Sequence, residues 1–272
     1  MSGPAHLPPV EERPEIAGTQ TLGRAMQILR TVAARGDEGA TFETLQASTE
    51  LSRATLYRLL AGLRQQGMLR QPSGRGAWFL GYELLSLGAQ AGNDSGLREL
   101  ARPALLQLAA EFGDSFFLLV PDGYFALCLE MQDGERPVRC FSQAVGGRIL
   151  MGVGQASIAL LAAMKREQRE HILQHNAPRL KREYHLELSR IRRRIHQAAR
   201  QGHAVSAGGI GLEGYTGVAV AITTQAGESP GALSCATATS SMTCHYRKSL
   251  IKALQQHAIN IGTRTGHLRR LE

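Results

Sequence analysis

From Thr21 the apolar residues Leu22, Ala25, Met26, Leu29, Val32 and Ala33 recur at spacings of three and four, the stripe of an amphipathic helix with one buried face. Gly36 ends that run. Thr41 is placed to cap a second, short helix reaching Thr49, with Phe42 and Leu45 inward, and Glu50-Leu51 forms a tight connection. A third helix follows at once. Ser52 is its N-cap, and Leu51 before it is spaced to pack on Leu56, the hydrophobic-staple pattern that fixes the entry angle of a helix. Leu56, Leu59, Leu60 and Leu63 form the buried stripe of this helix. At roughly 100° per residue the opposite face then carries Ala54, Tyr57, Arg58 and Ala61, with Arg53 and Thr55 flanking it in the first turn.

After Gly67 the pattern changes period. Met68-Leu69-Arg70 reads as a short strand, Pro72-Ser73-Gly74-Arg75-Gly76 as a turn, and Ala77-Trp78-Phe79-Leu80 as the returning strand. Three helices and a hairpin predict a winged helix-turn-helix. Small, hydroxyl, aromatic and guanidinium side chains on the free face of the third helix suit one whose N-terminal end enters a major groove. Arg75, at the hairpin tip, is placed to reach phosphate or the minor groove.

The remainder predicts a larger α+β domain. A linker helix with Leu84, Leu85 and Leu87 breaks at Gly92-Asn93-Asp94-Ser95-Gly96, and a new amphipathic helix runs from Leu97 to Gly113. Strands are expected over Ser115 to Val120, Tyr124 to Met131 and Val138 to Ala144, joined by Pro121-Asp122-Gly123 and Asp133-Gly134. Helices are expected from Gln155 to Lys165 and from Leu186 to Arg200. Ala204 to Ser206, Val218 to Thr223 and Ala232 to Ala238 read as strands, and Cys244 to Ile261 as a last helix. Strands, helices and strands again suggest one antiparallel sheet flanked by helices. The expected domains are a disordered tail over 1–18, the winged helix-turn-helix over 19–82, a linker helix over 83–96, the second domain over 97–264, and a tail over 265–272.

Composition narrows the partners. The 272 residues suit two unequal domains, and a formal charge of +8 favours a polyanion or an anionic membrane surface. Within residues 19–84, eight Arg face five acidic residues, which partly offsets phosphate repulsion. The N-terminal residues contain no apolar run and do not read as a signal peptide, and no stretch approaches the roughly 18 apolar residues of a membrane span. The expected location is the cytoplasm, with no membrane partner. Cys128, Cys140, Cys235 and Cys244 lack metal-ligand spacing and are expected to be reduced and buried; no metal or cofactor is implied.

Several strings together resemble the IclR-type transcription regulators over nearly the whole chain after residue 18. They are Leu22-Gly23-Arg24-Ala25, the third-helix run Arg53-Ala54-Thr55-Leu56-Tyr57-Arg58-Leu59-Leu60, Leu97-Arg98-Glu99-Leu100-Ala101-Arg102-Pro103, and Val145-Gly146-Gly147-Arg148 with the small-residue segment after it. The resemblance implies a homodimer or tetramer that binds double-stranded operator DNA. It also implies a GAF-like C-terminal domain that binds a small effector, commonly an organic or aromatic acid. The candidate DNA-contacting set is Thr21, Arg24, Ser52, Arg53, Ala54, Thr55, Tyr57, Arg58 and Arg75. The resemblance points to Val153, Gly154, Gln155 and Ala156 on one side of an effector site, and to Gly217, Ser234 and Ala236 on the other. Gly217 stands where many members have Cys. A helix N-terminus with free backbone N–H groups favours a carboxylate.

Other motifs are weaker. Gly152-Val153-Gly154-Gln155-Ala156-Ser157 imitates a dinucleotide-binding turn, but ends in Ser where tight helix packing needs Gly or Ala. Gly208-Gly209-Ile210-Gly211 lacks the Lys-Ser/Thr of a phosphate loop and reads as a flexible loop near the ligand site. Cys244 and His245 are adjacent, hence about 100° apart on a helix, and do not form a nucleophile–base pair. The alternative function, a small-molecule-converting enzyme with an accessory winged helix, therefore lacks a catalytic constellation. The basic stretch Arg179 to Arg200 reads as a solvated face, or as extra attraction for DNA or for an acidic face of another subunit.

Overall fold

The computed structural model describes residues 18–72, 76–91, 96–137, 145–209 and 212–268. The chain forms two compact units, residues 1–92 and 93–272. The expected strand over Val138 to Ala144, Arg75, Cys140 and nearly all of the N-terminal tail lie outside the described residues.

The first unit contains α1 (Gln20–Ala34), α2 (Phe42–Thr49), α3 (Arg53–Gln65), the hairpin β1 (Leu69–Arg70) and β2 (Phe79–Leu80), and α4 (Glu83–Ala91). Both predicted N-caps form. Thr41 Oγ1 accepts from the Thr44 N–H at 3.2 Å and Ser52 Oγ from the Thr55 N–H at 3.3 Å, satisfying donors that a first helical turn leaves unpaired. Between the two helices Glu50 adopts a left-handed conformation, φ 54°, which turns the chain so that α3 starts three residues later. Ile28, Leu29, Val32, Leu45, Leu51, Leu56, Leu60, Leu69 and Trp78 close the core. Antiparallel pairing sets Leu69 opposite Leu80 and Arg70 opposite Phe79, and Trp78 bridges to Ala40. At the hairpin base a Cβ on Gly81 would lie 1.8 Å from the Gly67 carbonyl oxygen, so only glycine permits this approach.

One sequence expectation fails here. Leu22 and Met26 are 63% and 38% exposed, because the face of α1 that meets α2 and the hairpin is set by Ile28, Leu29 and Val32. The apolar stripe read along α1 merges this buried face with a second one open to solvent. α4 shows the same division: Leu84 packs on the core, whereas Leu85 and Leu87 are exposed.

The second unit is a six-stranded antiparallel sheet of β3 (Ser115–Asp122), β4 (Phe125–Gln132), β5 (Arg148–Leu150), β6 (Ala204–Gly209), β7 (Leu212–Ile222) and β8 (Gly231–Ala238), in the order β5-β4-β3-β8-β7-β6. Alternation along β3 serves two cores. Phe117 and Leu119 join Ile158, Leu161, Leu173 and Ile191 from α6 (Gly154–Ala163), α7 (Arg166–Tyr184) and α8 (Leu188–Gln201). Phe116 and Leu118 join Leu105 and Leu108 of α5 (Leu97–Phe112) and Leu250 and Leu254 of α9 (Cys244–Leu268). Asp114, 1% exposed, ties this second face together: Arg136 Nε lies 3.4 Å from its carboxylate and the Tyr246 hydroxyl of α9 donates to it. Burial and the neighbouring carboxylate hold the Tyr246 phenol firmly protonated.

Three further readings change. Residues 148–150, for which no strand was expected, form β5, paired to β4 with Phe125 opposite Leu150. Gly208 and Gly209, expected in a loop, close strand β6 against β7, where a register irregularity between Ala207 and Gly209 absorbs them. Cys128 and Cys235 are buried, with burial and the adjacent Glu130 charge pushing the Cys128 thiol up to about 12, but Cys244 at the start of α9 is exposed.

Candidate functional site

Two sets of residues were expected to converge, one in each unit. On α3, Ser52, Arg53, Ala54, Tyr57 and Arg58 are exposed and Thr55 is half-buried, while Leu56 and Leu60 point into the core. Thr21 is exposed and Arg24 half-buried on α1. The free face is not wholly loose. Tyr57 stacks on Phe42 of α2 with ring centroids 4.4 Å apart, and the Arg53 guanidinium lies 5.1 Å over the same Phe42 ring. Phe42 thus braces two of the candidate contacts, a role its inward reading did not suggest. Arg58 carries no such contact among the described residues and projects from an exposed helix face.

In the second unit, Val153, Gly154, Gln155 and Ala156 open α6, and Gly217 and Ser234 lie on neighbouring strands, β7 and β8. Gln155 joins them. Its Nε2 donates to Ser234 Oγ at 3.0 Å and to the Cys235 carbonyl at 3.4 Å, and its Oε1 accepts from Ser206 Oγ at 2.8 Å. Gln155 is 5% exposed and Ser234 1%. A Cβ on Gly217 would fall 2.1 Å from Gln155 Nε2, so the carboxamide occupies the space that a side chain at 217 would take. Ala236, buried two residues beyond Ser234, shares its face of β8.

The entry to α6 is held from outside. Asn176 of α7, fully buried, donates from Nδ2 to the Tyr124 and Met151 carbonyls at 2.9 and 3.1 Å. Gly152 N–H donates to Ser157 Oγ, which in turn bonds the Val153 carbonyl. Among the described residues Val153 gives α6 no side-chain cap and the first turn holds no acidic residue, and Gly154 has φ 73°, so the helix dipole is not offset by a carboxylate of that turn. Neither Asn176 nor Ser206 was legible in advance: a lone Asn in a charged helix and a Ser on a strand carry no pattern. Among the described residues no cluster of three His, Cys, Asp or Glu is placed to hold a metal, and no helix is long and apolar enough to cross a membrane.

A winged helix-turn-helix carried in one chain with an α+β domain that contains a buried polar network defines the class of single-chain transcription regulators. Residues 21–73 match the IclR helix-turn-helix domain, and residues 89–263 match the bacterial transcriptional regulator IclR C-terminal domain. The chain belongs to the IclR family of bacterial transcriptional regulators. It is 28% identical over 163 residues to the transcriptional repressor IclR of Escherichia coli, covering 59% of each chain. It is 26% identical over 130 residues to the HTH-type transcriptional regulator KipR of Bacillus subtilis, covering 48% of this chain and 51% of that one. The chain spans between about half and three fifths of the length of these curated relatives. Among solved structures, an IclR homolog from Microbacterium hydrocarbonoxydans complexed with 4-hydroxybenzoate aligns over 91% of this chain and 99% of its own, with TM-score 0.76 and 24% identity.

Proposed function

We propose that the chain is a cytoplasmic, sequence-specific regulator that binds double-stranded operator DNA through α3 and the hairpin, and whose DNA binding responds to a small organic acid. The working domains are residues 19–82 for DNA, a linker helix over 83–96 and residues 97–264 for the effector. The observation that carries this reading is the free face of α3: a capped N-terminus, small Ala54, exposed Arg58 and a braced Arg53–Tyr57 pair, set on a buried leucine stripe. Exposed Leu22, Met26, Tyr82, Leu85 and Leu87 in the first unit support a homodimer, since large apolar side chains left open to solvent are covered when a second copy docks.

The effector binds at the opening of α6, between Gln155 and the β7–β8 residues Gly217 and Ser234. Uncapped first-turn amides favour a carboxylate there, and the 4-hydroxybenzoate held by the Microbacterium homologue makes monocyclic aromatic acids the first class to try. Fluorescence anisotropy with duplexes tiled across the DNA upstream of the chain's own coding sequence tests the first half. Arg58→Ala should weaken specific binding about ten-fold or more, the worth of one good base contact. Unchanged affinity removes Arg58 from the interface. A thermal-shift series of aromatic and aliphatic acids tests the second half, since a ligand at about 100 times its Kd adds about 2.7 kcal/mol to the folded state.

A further inference from the structure

The basic stretch from Arg179 to Arg200 separates into distinct environments in the fold. Arg182 pairs with Glu183 at 2.9 Å, and Arg179 also binds Glu183, both within α7. Arg194 is half-buried and reaches the Val205 carbonyl of β6 at 3.5 Å. Arg192 turns the opposite way, across to α7, where Nη2 and Nε lie 2.7 and 3.1 Å from one oxygen of Glu170. The other Glu170 oxygen is 4.0 Å from Arg169 Nε. These three residues, with Arg166 and His196, line a cleft of about 430 Å³ between α7 and α8.

The charges in this cleft do not balance. Three guanidinium groups face one carboxylate, and that carboxylate is divided between two of them. Arg169 is only 15% exposed, so its charge is poorly served by water and its pairing at 4.0 Å is loose. The Arg192 hydrogen bond, together with the Arg192, Arg169 and Arg166 charges, holds the Glu170 carboxyl below the usual carboxylate range, the mark of an anion outnumbered by cations. Guanidinium forks suit planar and tetrahedral oxyanions, which they engage with two parallel N–H bonds. The arrangement is also concave and supplied by two helices, at a volume within the range of small-ligand sites. A solvated helix face would instead spread its arginines outward.

We propose that the α7–α8 cleft lined by Arg166, Arg169, Glu170, Arg192 and His196 is a second small-molecule site, which takes a multiply charged oxyanion such as a phosphate ester or a polycarboxylate. It is separate from the site at Gln155 and does not depend on it. Glu170 holds the Arg192 fork in place when the cleft is empty and competes with an incoming anion when one binds.

Isothermal titration of the full chain with inorganic pyrophosphate and with citrate, each at an ionic strength fixed with sodium chloride, tests this. Saturable binding of one anion per chain is expected, and the tighter of the two identifies the phosphate or carboxylate class. Arg192→Gln should weaken it about ten-fold or more. Glu170→Gln should tighten it about ten-fold, because a nearby like charge is gone. Gln155→Ala should leave it unchanged. Heat that follows chloride equally, an unaltered Kd in Arg192→Gln, weaker binding in Glu170→Gln, or engagement only of random-sequence duplex DNA would each overturn the proposal. Arg192 is 38% exposed, and Arg166→Gln, on an exposed residue of the same rim, gives a second variant whose folding is not in question.

Discussion

Replacing Gly217 by Ala is a test of how the α6–sheet contact is built. Gly217 does not have a positive φ, so alanine meets no backbone strain. Its Cβ would nevertheless fall 2.1 Å from Nε2, 2.3 Å from Cδ and 2.6 Å from Oε1 of Gln155. The carboxamide must therefore leave, and with it the bonds to Ser234, Cys235 and Ser206. A net worth of roughly 1 kcal/mol per hydrogen bond, reduced where water replaces a partner, gives a loss of about 2 kcal/mol. For a unit of this size that is roughly 4–8 °C in Tm. Gln155→Ala alone removes the same bonds and should cost a similar amount. In the double variant the clash has no partner, so the two losses do not add; a coupling of about 1–2 kcal/mol is expected. Calorimetry of the full chain and of the three variants reads this, with fluorescence of the lone Trp78 following the first unit separately. Additivity within about 0.5 kcal/mol would refute the placement of Gln155 against Gly217.

Four other outcomes follow from the geometry. Ser52→Ala should lower the stability of the first unit by about 1 kcal/mol, read as an earlier Trp78 fluorescence transition in urea, because the Thr55 N–H loses its cap. Leu85→Glu, at a position 73% exposed, should leave the fold intact and shift the chain toward monomer in light scattering; an unchanged mass would exclude α4 from the subunit contact. Iodoacetamide at pH 8 followed by peptide mapping should label Cys244 within minutes while Cys128, protonated up to about 12 and buried, reacts only after unfolding. Arg136→Ala removes the cation beside the buried Asp114 and the side-chain hydrogen bond to the Phe112 carbonyl at the end of α5, and should destabilise the second unit by about 1–3 kcal/mol; Asp114→Asn in that background should recover part of it.

The helices of the first unit were legible because each announced itself locally. A cap, a staple and a leucine stripe lie within one or two turns of one another; Thr41 and Ser52 take the cap positions their spacing requires, and Leu51 is buried in the same core as Leu56. What the stripe on α1 could not reveal was which neighbour it meets. Leu22 and Met26 obey the same periodicity as Leu29 and Val32, yet α2 and the hairpin cover only the lower face. Periodicity reports that part of a helix surface is apolar; which of its faces is covered is decided by where the neighbouring elements pack. The same limit hid β5. Three residues are too few to show alternation, and their strand character comes from the ladder that β4 supplies.

The Gln155 cluster shows where a local reading stops. Gln155 was singled out by the family resemblance, as one of four residues at the opening of α6. Its partners are Ser206 and Ser234, 51 and 79 residues further along, and nothing in the intervening chain marks either as its acceptor or donor. Gly217 read as a missing side chain, the place of a cysteine in many relatives. In the fold, absence of that side chain is what admits the carboxamide. The two positions are thus one feature divided across two elements, and any acid that enters between α6 and β8 must either displace the Gln155 amide or accept hydrogen bonds from it. With the effector at the proposed site, its preference should follow the pair, so that Gly217→Ala and Gln155→Ala alter ligand selectivity in the same direction, whereas Arg58→Ala, at the proposed DNA face, should change DNA affinity and leave selectivity alone.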